Sequence, residues 1–132
     1  MKKLLIITLL TFIVGSVFAQ NLKLRSYSST YSYVDKNGGF PDLKVNQIRT
    51  SILIVIKDKS ISIFAKTPAN YSIIAVDDVK YGDAGPYSET NLVDDDGIQC
   101  IGRVYMPYDT DTYHVIIQYQ NVMFVYNCRE EK

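Results

Sequence analysis

The chain has 132 residues, a one-domain length, with 14 Lys+Arg against 14 Asp+Glu and one histidine. The basic residues are scattered, with no cluster longer than Lys57-Asp58-Lys59, so the sequence lacks the electrostatic footprint of a nucleic-acid or anionic-membrane binder. Tyrosine is abundant at 11 and tryptophan is absent.

The first nineteen residues predict export. Lys2 and Lys3 open the chain, Leu4 to Phe18 is almost unbroken apolar sequence, and Val17-Phe18-Ala19 supplies a small-x-Ala ending before Gln20. That order is a secretory signal of bacterial form, and its apolar core is too short, with the wrong flanks, for a stop-transfer helix. No cysteine follows it, which excludes a lipid-anchored variant. The expected organisation is a cleaved signal over 1–19 and a single β domain over 20–132, periplasmic or secreted, without an integral membrane segment. Loss of Lys2 and Lys3 leaves 12 basic against 14 acidic residues. A domain of this size buries about two-thirds of its unfolded surface.

Beyond the signal, strand patterns follow one another. Leu22 to Val34 has strand composition, with Tyr27, Tyr31 and Tyr33 on one parity, and Asp35-Lys36-Asn37-Gly38-Gly39 forms a loop. Leu43, Val45, Ile48 and Ile52 fit one or two helical turns, or equally a strand. Thr50 to Ile56 is β-branched and nearly continuous, which predicts a central strand covered on both faces. Ser60 to Ala65 alternates Ile61 and Ile63 with serines. Tyr71 to Val76 follows the Thr67-Pro68-Ala69-Asn70 break. After a polar stretch at Asp77-Asp78 and Gly82-Asp83, Pro86 marks a bend, and Tyr87 to Val93 forms a weaker strand. Ile98 to Met106, Tyr113 to Gln120 and Val122 to Cys128 complete the set, with a tight turn near Asn121. No amphipathic helix of convincing length, fixed-period repeat or internal linker is present. The expected fold is all-β, an antiparallel up-and-down meander of about seven or eight strands, arranged as a small barrel or a sandwich. Its expected core includes Ile52, Ile54, Ile56, Ile61, Ile63, Ile101, Val104 and Ile116.

Cys100 and Cys128 are a candidate disulfide, since two cysteines in a small exported chain normally pair and the bridge would add about 3 kcal/mol. The meander argues for two buried thiols instead. It places a strand between them and puts them at opposite ends of strands running the same way, while a bridge needs Cα atoms within roughly 7 Å. Their spacing with His114 shows no metal-ligand pattern, and no cofactor motif is present.

Asp94-Asp95-Asp96-Gly97 reads as a hairpin turn with Gly97 at positive φ, because an EF-hand register would put its last ligand on Arg103. Asp77-Asp78, Asp83 and Asp109-Thr110-Asp111 read as solvated loops, and nothing fixes two of these carboxylates together for glycoside hydrolysis. His114 faces opposite to Tyr113 and Val115, with no nucleophile assigned to it. Asn70-Tyr71-Ser72 matches a glycan acceptor, a pattern that is idle in most bacteria.

These features predict a non-enzymatic, exported binding or accessory protein, partnered by a protein or an envelope component; a small inhibitor of a foreign enzyme belongs to this class. Tyr105, Tyr108 and Tyr113, which flank one turn, are the candidate partner-binding residues, since aromatic anchors concentrate interface energy. A barrel carrier of an apolar ligand and a carboxylate-dependent hydrolase are the alternatives.

Overall fold

The structure, a computed structural model, describes residues 22–39, 41, 48–49, 51–83, 85–106 and 111–131. The expected signal, the helix-or-strand segment at Leu43 and Val45, and Tyr108 with the Asp109-Thr110 part of its loop lie outside these residues.

Among the described residues nine strands follow in chain order: β1 (Leu22–Tyr33), β2 (Leu53–Ile56), β3 (Ser60–Phe64), β4 (Ala69–Val76), β5 (Lys80–Gly82), β6 (Gly85–Asp94), β7 (Gln99–Tyr105), β8 (Thr112–Gln118) and β9 (Val122–Glu130). Every pairing is antiparallel, in the order β4-β3-β2-β1-β9-β8-β7-β6-β5. A further antiparallel pairing of β4 with β6 closes this sheet into a small barrel. The first and last strands lie side by side, and β4 meets the Thr90–Asp94 half of β6 while short β5 meets its Gly85–Tyr87 half. Closure through β4 and β6 gives the eight ring strands a neighbour on each side, covering edges a flat meander would expose, and leaves short β5 as an appendage on β6. Among the described residues there is no helix long and apolar enough to cross a membrane.

Period-two alternation decides what enters the barrel. An eight-stranded ring is just wide enough for side chains to fill. Leu22, Leu24, Ile54, Ile61, Ile63, Leu92, Val115 and Ile117 do so, each fully buried. Ile54, Val55 and Ile56 are buried in succession, as a strand covered on both faces requires. Gly102 belongs to this packing because it has no Cβ: one would stand 2.7 Å from Leu92 Cδ1 and 2.8 Å from Thr90 Oγ1. The turns follow their residues too. Gly97 has φ 81°, and the Gly97 N–H donates to the Asp94 carbonyl. The Tyr119 N–H donates to the Val122 carbonyl, closing the two-residue turn at Gln120-Asn121.

Several expectations are corrected. Ile101 and Ile116 pair with outward-facing neighbours and are half-buried on the outer wall, while Ile52 packs against the core without being fully buried. Pro86 lies inside β6, near its start, where a strand tolerates the missing N–H. The tyrosines of β1 do not share a face. A bulge between Ser26 and Ser28 shifts the register against β9, so Leu22, Leu24 and Ser26 face inward whereas Ser28, Thr30 and Ser32 pair with the outward Asn127, Val125 and Met123. Tyr27 keeps the outward side of Arg25, under Arg129, whose Cζ is 5.0 Å from the ring centroid, whereas Tyr31 pairs with Phe124, which is level with the inward Ile117.

Cys100 and Cys128 are free, buried thiols. Cys128 is level with Tyr113 on β8 and Cys100 with Tyr119, six residues further along that strand. The offset is about 20 Å of strand, far beyond disulfide reach.

Candidate functional site

The structure separates the tyrosines expected to act together. Tyr105 is half-exposed on the outer wall and stacks on Tyr87, with centroids 4.7 Å apart and planes at 24°. Tyr113 points into the barrel, 1% exposed, so it cannot meet a partner on the closed wall. Its hydroxyl has no hydrogen-bond partner among the described residues, and burial, ahead of the charges of Glu130 and Asp111, pushes its pKa upward.

Direct register aligns Tyr87, Tyr105, His114, Asn127 and Ser28 in one outward row across five strands. Asn127 Nδ2 donates to Ser28 Oγ at 2.9 Å, which leaves Oδ1 facing His114 Nδ1 at 2.6 Å. An amide oxygen only accepts, so Nδ1 carries the proton. Ser28 lies beyond Asn127 and away from the imidazole, so this row orients a ring without pairing it to a nucleophile.

Further along the same strands the outer wall is concave. A groove of about 530 Å³ crosses β4, β6, β7 and β8, within the ~300–1,000 Å³ range of ligand pockets. The register that places Asn91, Ile101 and Gln118 side by side builds its middle; Ile74 flanks it from β4, and Gln99 and Gln120 extend it. Leu92, Cys100 and Tyr119 complete the lining, in which no residue carries a formal charge at neutral pH.

Two hydrogen-bonded chains hold this groove in shape. Arg103 Nε donates to Glu89 Oε2 at 2.8 Å and its Nη1 to Gln118 Oε1 at 2.6 Å. The guanidinium is thus neutralised by Glu89, and the Gln118 amide is turned so that Nε2 remains for another partner. Tyr119 donates its hydroxyl to Asp94 Oδ2 at 2.8 Å, while Asp94 Oδ1 accepts the N–H groups of Asp96 at 3.0 Å and Ile98 at 2.9 Å. The Ile98 N–H, followed by Tyr119 and the Asp96 N–H, holds the Asp94 carboxyl below the usual carboxylate range against the opposing effect of desolvation. Burial, then the bonds with Tyr71 and Asp94, pushes the Tyr119 phenol far up, and burial pushes the Cys100 thiol up to about 11. At neutral pH the groove therefore presents a neutral phenol, a protonated thiol and four carboxamides. Such groups bind and orient; they do not supply an activated nucleophile.

Among the described residues no group of three His, Cys, Asp or Glu side chains could hold a metal ion. No single stretch of sequence marks the groove, because its residues come from four strands and the β8–β9 turn, brought together by register. Its trace in the sequence is four uncharged amides, Asn91, Gln99, Gln118 and Gln120, spread over β6, β7, β8 and the turn after β8. Comparison with family models, curated proteins and solved structures gave no match.

Proposed function

We propose that the protein is an exported binding or accessory module without catalytic activity, holding a protein or cell-envelope component in the carboxamide groove of its outer wall. The observation that carries this reading is an uncharged, concave surface on paired strands, with Gln118 oriented by Arg103. Groups held by hydrogen bonds on a rigid wall lose little freedom on binding, which favours affinity. The alternatives are less well supported. A carrier needs room on the barrel axis, where Leu24, Ile54, Leu92, Val115 and Ile117 pack fully buried. A hydrolase needs a free carboxylate pair, whereas Asp94 is committed to Tyr119 and two backbone N–H groups.

Co-sedimentation with envelope preparations from the producing bacterium tests the reading. The wild-type protein should pellet with them, and Ile101→Arg, which puts a charge into the groove from an outward position, should remain in solution. Equal pelleting of the two, or pelleting of neither, would refute the groove as a recognition site for the envelope.

A further inference from the structure

We infer that the groove is a saccharide site: it takes an uncharged oligosaccharide, and Arg103 is the positioning residue that aims Gln118 at it. The inference rests on the proposed role of the groove in recognition and names its ligand class.

Four carboxamides, Asn91, Gln99, Gln118 and Gln120, line the groove. Each carries an acceptor oxygen beside a two-donor nitrogen, a pattern that matches hydroxyl groups, which donate and accept at once. Gln118 has its oxygen bound by Arg103, so it meets a sugar as a donor. Ile101 and Ile74, the latter 58% exposed, offer apolar surface for the C–H face of a pyranose ring. The other ligand classes fit less well. An apolar ligand would leave four amides desolvated and unpaired, which is costly. An anion would find the nearby guanidinium already paired with Glu89. An extended peptide binds a sheet by adding a strand to an open edge. Here the middle of the groove is paired on both sides, Asn91 between Ala75 and Ile101, Ile101 between Asn91 and Gln118, and Gln118 between Ile101 and Met123, so the wall there offers no backbone edge.

The test is an NMR titration of the purified protein with three neutral probes, the trimers of N-acetylglucosamine, cellulose and maltose. An alanine-rich pentapeptide is run alongside. At least one trisaccharide should shift the side-chain amide signals of Asn91 and Gln118 saturably. Gln118→Ala and Asn91→Ala, the second at an exposed position, should each weaken that binding at least tenfold. Phe64→Ala, exposed and outside the groove, should leave it unchanged. Arg103→Lys keeps the charge but loses the planar fork. It should move the Gln118 amide signal before any ligand is added and weaken binding at least threefold at unchanged melting temperature. If none of the three sugars shifts these signals, or if the shifts fall outside the groove, the saccharide assignment is overturned. Shifts produced by the pentapeptide alone would overturn it too, while leaving recognition at the groove standing.

Discussion

Tyr119 reaches from the end of β8 to the β6–β7 turn and donates its hydroxyl to Asp94 Oδ2 at 2.8 Å. One side chain thus joins a groove-lining residue to the carboxylate that caps the turn through the Asp96 and Ile98 amides. Groove shape and turn stability should therefore respond together to changes at either residue.

Because the native Asp94 pKa lies below its ordinary value of 3.8, this carboxylate contributes stability above that value, and the contribution is lost as pH falls through the native pKa. Hydrogen exchange at the Asp96 and Ile98 amides should accelerate relative to the core as the pH is lowered below about 4. Asp94→Asn should show fast exchange at those amides already at neutral pH, with little further acid response. Tyr119→Phe should lower the melting temperature and displace the Gln118 and Gln120 signals. An acid response identical in Asp94→Asn and wild type would refute the cap.

Cys100 and Cys128 have thiols pushed up to about 11 and about 12, chiefly by burial. Alkylation of the unfolded, non-reduced protein should label two thiols per chain, while the native protein should react slowly at neutral pH. A native thiol pKa above the ordinary value of 9.0 means this stabilising difference is complete below pH 9 and is lost as pH rises toward 11–12. A two-dalton mass deficit matching a Cys100–Cys128 bridge would contradict the strand register.

The interior should distinguish two kinds of substitution. Ile54→Ala opens a cavity in a packed barrel and should cost about 2–5 kcal/mol in a denaturant melt. Tyr113→Phe removes a buried hydroxyl without a partner among the described residues. It should hold or raise stability, by about 1 kcal/mol. A large loss in Tyr113→Phe would reveal a partner for that hydroxyl.

The proposed export predicts a mature chain that starts at Gln20, to be checked by mass spectrometry of the intact protein recovered from periplasm or medium. Recovery only of chains retaining Met1 in a membrane fraction would contradict it.

Much of the architecture was legible from local pattern. Alternation in Ser60 to Ala65, the continuous apolar run before Lys57, and the Asp94-Asp95-Asp96-Gly97 turn each predict an element that the structure contains, because side-chain parity and positive φ are properties of a few neighbouring residues. Assigning a face was harder. Ile101 and Ile116 are as apolar as Ile61 and Ile63, yet they lie on the outer wall, since composition does not say which parity a closed sheet turns inward. On β1 one bulge reverses the parity halfway along the strand.

The sequence by itself determined an antiparallel meander and the positions of most of its turns, for these depend on period-two patterning and turn chemistry within short windows. Only the tertiary structure decided that β4 meets β6 and closes the wall, that Tyr105 and Tyr113 part to opposite faces, and that Cys100 and Cys128 stay apart. It also decided that Ile74, Asn91, Gln99, Gln118 and Gln120 share one groove. Those relations depend on register between strands distant in sequence, where a one-residue slip exchanges inside for outside, and no local run of residues encodes that choice.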